Sequence, residues 1–342
     1  MEMKNGKAIP KTINNGIEIL RFILCLWIVI HHCSIIKEKH IKYIRRAFHV
    51  PTFVLMSFYF FYPYIRDRKI EKIVSRFQRL LYPYVLWPII ILLLNNFFIQ
   101  TTQYSLYKTN LSLKDAYIQI IIGVRYHGIF WFQFNLIFIS LFLSIISFLF
   151  KDYSLIILEY FGFLSLYLLY SKINLNLFIY YDEQIQKAIG SLVEIFPLTI
   201  IGCYLNFINI LVKAQNISLH SHLFLLIIIY FLFEYNIFIY YPGFMYPNII
   251  LNIFASIILF ITFGTIKMEK IFLLNSILKH ITKYTGGIYY VHQLFNHSFR
   301  KYILFFKKQS YFSACVIYII SYLMCFTGYK FFKNYKLKYL FI

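Results

Sequence analysis

Charge is what this chain has least of. Asp, Glu, Lys and Arg make up 14% of its 342 residues, against about 25% in an ordinary soluble domain. So little charge cannot cover a large water-exposed surface, which excludes a sizeable soluble domain. Acids are scarcer still. Only 13 Asp and Glu stand against 34 Lys and Arg, a formal net charge of +21. In a chain that is 60% hydrophobic, with mean hydropathy +0.66, such an excess reads as loop cations that set topology and meet membrane lipid. A nucleic-acid partner is therefore not expected. Cysteine is confined to Cys25, Cys33, Cys203, Cys315 and Cys325. All lie in or beside apolar runs and none has metal-ligand spacing, so they read as small buried side chains, and no metal is expected. No repeat of fixed period and no low-complexity linker is seen, and no appended soluble domain is expected. Residues 1–342 read as one membrane domain. The basic stretch Met1–Lys11 precedes an apolar run too long for a signal-peptide core, with no small-residue cleavage site after it. That run reads as a retained first membrane helix.

What is present is a succession of apolar runs. They predict an all-α, polytopic membrane helix bundle of about ten spans, each roughly 17–25 residues long. The expected spans are 16–36, 49–65, 80–99, 128–150, 153–170, 188–212, 221–241, 246–266, 281–299 and 311–332, with a basic tail after the last. The segment 66–79 is expected to be a basic connector, and 101–127 a polar loop. An even number of spans puts both termini on one side, and the distribution of cations favours the cytoplasm. The loop Lys37–Arg46, rich in Lys and Arg, runs against that orientation.

The first run carries charge where a membrane segment ordinarily has none. At 3.6 residues per turn, Glu18, Arg21, Cys25 and His32 fall on one stripe of a helix that is otherwise apolar. Eleven residues separate Arg21 from His32, about 16 Å along the axis, or half a hydrocarbon core. An ionisable residue at such depth is costly and is a functional candidate by default. Glu18 and Arg21 can pair one turn apart. His32 can deprotonate a hydroxyl near neutral pH, although a lone intramembrane His more often serves helix packing. His31 points about 100° away from His32.

Other constellations follow. In Arg76-Phe77-Gln78-Arg79 the two arginines are three residues apart, a spacing that puts both guanidinium groups on one helix face, able to grip a phosphate. The same cations also suit a topology-setting cytoplasmic loop. Trp131, opening the fourth span, suits an interface anchor. Glu194, beside Pro197, and Glu234 are acids at membrane depth that need partners. Gly286-Gly287 permits close helix packing, and His292 follows facing the bundle.

Together these residues resemble the integral membrane acyltransferases of the acyltransferase 3 family. Glu18-x-x-Arg21, then ten residues, then His32 is similar to that family's opening helix. Arg76-x-x-Arg79 before a Pro-containing helix start resembles its second hallmark, and Val50 to Ser57 its second helix. There the family usually has Gly after the Ser, and Phe58 stands here instead. Glu194 to Gly202 and Tyr284 to Gln293 resemble later segments. The resemblance implies ten helices in a bacterial cell membrane. It implies transfer of an acyl group, commonly acetyl, from cytoplasmic acyl-CoA to a hydroxyl of a cell-surface or lipid-linked glycan. On that reading His32, Arg21 and Glu18 are the catalytic residues, and Arg76 and Arg79 hold the acyl-CoA phosphates. The competing reading is a transporter or flippase of lipid-linked sugars, which also needs many helices and buried charge. No inverted repeat supports it. A non-catalytic scaffold is the third reading.

Overall fold

The computed structural model describes residues 11–33, 49–102, 112–122, 130–150, 153–170, 183–213, 249–265, 272–302 and 311–342, with isolated helical positions at Ser221, Phe224, Ile227 and Ile228. No strand occurs among them. The helices are α1 (Lys11–Cys33), α2 (His49–Arg66), α3 (Ile70–Thr102), α4 (Leu113–Ile122), α5 (Phe130–Leu149), α6 (Ser154–Tyr170), α7 (Glu183–Phe207), α8 (Ile210–Lys213), α9 (Ile249–Thr265), α10 (Phe272–Thr282), α11 (Thr285–Tyr302) and α12 (Tyr311–Phe331), followed by a 3-10 turn at Lys336–Phe341.

Large apolar side chains are exposed along the helices while polar groups are buried among the apolar core, which is not the pattern of a water-soluble bundle. On α5, Phe138, Leu141, Ile145 and Phe148 are exposed, while Asn135, Ser140, Ser144 and Ser147 are buried. The exposed set and the three buried serines recur every three or four residues, so one helix carries a lipid-facing stripe and a bundle-facing stripe. Leu93 (62% exposed) and Phe97 (59%) play the outward role on α3, where Asn95 is fully buried. Segments Asn15–Cys33, Ile70–Gln100, Phe130–Leu149, Gly190–Phe207 and Tyr311–Phe331 are long and apolar enough to cross a membrane, and Ser154–Ser165 and Asn252–Thr265 are shorter apolar helices. The chain is a polytopic membrane helix bundle.

α1 runs through the middle of the C-terminal half, packed against α9, α10, α11 and α12 and also touching α2. α2 lies most closely along α7. Gly202 is what allows that approach. A Cβ at that position would sit 2.5 Å from the Leu55 carbonyl oxygen, so any larger residue forces the backbones apart. The buried cluster joining the two halves includes Cys25, Val29, Trp87, Phe130, Ile288, Val291 and Ile317.

Four expectations are corrected. The connector before the third span is only Asp67–Lys69, and Ile70–Arg79 is helical and continuous with it. That stretch holds neither Gly nor Pro, and its Lys72 and Arg79 point outward while Ile73 is buried. Charge hid the helix from hydropathy without breaking it. Prolines 83 and 88 lie further along the same helix, and Gln133 Nε2 donates to the Leu80 carbonyl, three residues before Pro83, at 3.0 Å. In the turn itself, burial alone would raise the Asp67 carboxyl, but hydrogen bonds from Lys69 and Arg66 hold it below its ordinary value.

Second, α4 occupies part of the expected polar loop. It is capped reciprocally, with Asp115 accepting from the Ser112 backbone N–H and hydroxyl while Ser112 Oγ accepts from the Asp115 N–H. Third, the ninth span is broken at Lys283–Tyr284 into α10 and α11. Fourth, the basic tail folds back into the bundle. Leu340 and Phe341 are buried, Trp87 Nε1 donates to the Leu340 carbonyl at 3.3 Å, and Phe341 stacks on Phe332 with centroids 5.9 Å apart. The expected seventh span, Glu234 and the loop Lys37–Arg46 lie outside the described residues, apart from the isolated positions named above.

Candidate active site between the first and eleventh helices

The stripe on α1 meets a matching stripe on α11 and the last turn of α10. Thr282 Oγ1 donates to Glu18 Oε2. Arg21 Nη1 donates to both Glu18 oxygens, at 3.2 and 3.3 Å. Its Nη2 reaches the Thr282 carbonyl and Thr285 Oγ1, each at 3.4 Å. Cys25 Sγ lies 3.9 Å from the Thr285 carbonyl. At the other end, Asn296 Nδ2 donates to the His32 carbonyl at 2.9 Å. The pairs 18–282, 21–285 and 32–296 share one sequence offset of 264. A constant offset means that the helices run parallel and in register, here over about 21 Å of axis.

The break between α10 and α11 explains why Arg21 sits where it does. α10 ends at Thr282, and the last carbonyls of a helix have no partner within it and carry the negative end of its dipole. A guanidinium placed there satisfies the carbonyl and the field together. Thr285 Oγ1 also donates to the Thr282 carbonyl, at 3.0 Å. Glu18 and Arg21 are partly exposed, at 21% and 35% of the side chain, so the charged end of the column is open.

His32 is half-buried and stands at the far end. Its ring lies 5.3 Å from that of His292, 5.0 Å from His31, and His31 lies 5.3 Å from His49 on α2. The chain thus gathers four imidazoles drawn from three helices. Among the described residues no His, Cys, Asp and Glu group has the arrangement of a metal site. His292 is wholly buried, and its Nδ1 lies 2.9 Å from the Ile288 carbonyl.

Arg76 and Arg79 are placed differently from one another. Arg76 turns into the bundle. Its Nε donates to Ser140 Oγ at 3.1 Å, Nη2 to Ser57 Oγ at 2.9 Å and Nη1 to the Ser57 carbonyl at 3.5 Å. The guanidinium also lies over the rings of Phe61 (4.2 Å) and Phe58 (5.1 Å). Phe58, which stands where the resembled pattern has a glycine, therefore supplies a ring beneath the cation. Among the described residues no carboxylate pairs with Arg76. Arg79 is exposed and donates to its own helix at the Ser75 carbonyl, 3.3 Å away.

The column itself brings Glu18, Arg21 and His32 to one helix interface. Glu194 is half-buried on α7, which packs against α2, α5 and α6. Trp131 is half-buried against Phe132, whose ring in turn lies 5.8 Å from Tyr289 on α11. Thr282, Thr285, Asn296 and the pairing of His292 with His32 were not singled out from the sequence. A signal was there, since Thr285, Tyr289, His292 and Asn296 recur at helical spacing on α11.

Lipid-facing apolar helices around a charged, hydrogen-bonded column define a polytopic integral membrane protein with polar groups built into a helix interface. The comparison with known families is more specific. The family model described as an acyltransferase domain matches residues 14–339, nearly the whole chain. The chain belongs to the acyltransferase 3 family and is a membrane acyltransferase. No curated protein and no solved structure gives a significant match.

Proposed function

We propose that the protein is an O-acyltransferase of a bacterial cell membrane. It moves an acyl group, acetyl in the simplest case, from cytoplasmic acyl-CoA to a hydroxyl of a cell-surface or lipid-linked glycan. Both termini lie in the cytoplasm on this reading. The observation that carries it is the column on α1, charged and open at Arg21 and Glu18 and ending at a half-buried His32. Acyl-CoA has the same asymmetry, with phosphates at one end and a thioester on a long, thin arm at the other.

Arg76 and Arg79 hold the phosphates. The support is that Arg76 keeps a positive charge with only neutral partners among the described residues, and Arg79 is exposed one turn further on. An anion beside them restores the balance of charge. Arg21 steers the arm along the stripe and Glu18 orients Arg21. His32 takes the proton of the acceptor hydroxyl as its oxygen attacks the thioester carbon. The C–O bond forms, the C–S bond breaks, and the proton leaves with the thiolate as CoA thiol.

The test uses inverted membrane vesicles, which present the cytoplasmic face to added radiolabelled acetyl-CoA. The expected result is alkali-labile acetyl incorporated into membrane glycan or glycolipid only when this chain is present. Unacetylated lipid-linked sugar moving across the same vesicles, with no label incorporated, would overturn the reading in favour of a transporter.

A further inference from the structure

We propose that His292 is a positioning residue for His32 and shares its proton during the transfer; this rests on the reading of His32 as the base. Nothing in its local sequence separates His292 from a packing residue. Its surroundings do. The ring is fully buried, and Nδ1 lies 2.9 Å from the Ile288 carbonyl oxygen. A carbonyl oxygen only accepts, so Nδ1 carries the hydrogen and Nε2 of the neutral ring keeps its lone pair. The tautomer is thereby set by the helix that carries the residue. The His32 ring lies 5.3 Å away, centroid to centroid, so a turn of the His32 ring or one bridging water brings its nitrogen within reach of Nε2. The Asn296 side chain one turn later holds the His32 carbonyl at 2.9 Å, so α11 fixes His32 at both its backbone and its ring.

The chemistry needs such a partner. When His32 takes the hydroxyl proton it becomes an imidazolium at membrane depth, where an isolated charge is costly. Its nearest ring neighbours are His31 on α1 and His292 on α11, with His49 of α2 beyond His31 and Tyr289 beside His292. The Nδ1 tautomer of His292 is set by the Ile288 carbonyl. Sharing the proton with its Nε2 spreads the charge over two rings until the thiolate sulfur takes the proton. Both imidazoles are then neutral again and the step balances.

The experiment compares His292→Gln and His292→Asn with the wild-type protein in vesicles given labelled acetyl-CoA. Asn keeps a donor toward the Ile288 carbonyl and Gln places an amide near Nε2, but neither amide takes up a proton. For both variants kcat is expected to fall at least about tenfold, with KM for acetyl-CoA within twofold of wild type and an unchanged thermal midpoint. Wild-type kcat in either variant overturns the proposal. A second measurement needs no variant. The wild-type rate in H2O and D2O mixtures is expected to follow a bowed curve, as two protons moving together require, and a straight line overturns the shared proton. His32→Ala in the same assay separates the two levels. If it retains activity, the reading of His32 as base fails. If it is inactive while the His292 variants are normal, only the present proposal fails.

Discussion

Gly287→Ala reverses the usual sign of its substitution. On an open helix surface, Gly to Ala stabilises by up to about 1 kcal/mol. At Gly287 the added Cβ would lie 2.7 Å from the backbone carbon and oxygen of Phe341 and 2.8 Å from Cys325 Sγ. These are not flexible side-chain ends that can step aside. Relief comes from lifting the tail, which takes Leu340 and Phe341 out of their buried positions and frees the Trp87 N–H. Burial of each such side chain is worth about 1.5–3 kcal/mol against water, and the lost hydrogen bond about 1 more. Lipid that receives the freed side chains returns part of this. The net expectation is a loss of roughly 2–4 kcal/mol. Gly190 on α7, with nothing within 4 Å of its Cβ position, is the control, and Gly190→Ala should be neutral or slightly stabilising. Two assays report the outcome, the thermal midpoint in detergent and maleimide labelling of Cys325 in a Cys315→Ser background. Cys325 is buried and Cys315 exposed, so labelling should rise only when the tail leaves. Gly287→Ala with an unchanged midpoint and unlabelled Cys325 would refute the seating of the tail.

The remaining predictions concern the charges. Arg76→Ala should lower the thermal midpoint, because it strips Ser57 and Ser140 of their shared donor at about 1–3 kcal/mol, whereas Arg79→Ala, at an exposed position, should change stability by no more than about 0.5 kcal/mol. Both should weaken acyl-CoA binding to purified protein by tenfold or more, and unchanged binding in the double variant would remove the phosphate site. Arg21→Gln should cost roughly 1–2 kcal/mol from the lost ion pair and helix-end contact, and the cost should shrink in a Glu18→Gln background, because Glu18 contacts the same guanidinium. Additive effects in that double-mutant cycle would refute the pairing.

How much was legible beforehand depends on the range of the interaction. The α1 stripe followed from helical period alone, because Glu18, Arg21, Cys25 and His32 lie within one segment. Its partner did not, since the contacts of Thr282, Thr285 and Asn296 are made across 264 residues and no local pattern encodes them. Hydropathy placed the membrane helices that face lipid. It misjudged Ile70–Arg79, where charge sits on a helix that extends beyond the apolar core, and the tail, where lysines mask the buried pair Leu340 and Phe341. The spacing of Arg76 and Arg79 predicted both guanidinium groups on one helix face, but it did not encode Ser57 and Ser140, which draw Arg76 inward while Arg79 stays exposed.

The most direct test of the central claim is acetyl transfer from acetyl-CoA in inverted vesicles carrying His32→Ala, with the amount of folded protein matched to wild type. His32 is half-buried, and its carbonyl is held by Asn296 through the backbone, so truncation should leave that bond and the fold intact. The account predicts that transfer falls by about a hundredfold or more while the thermal midpoint stays within a few degrees of wild type. Transfer at the wild-type rate would contradict it.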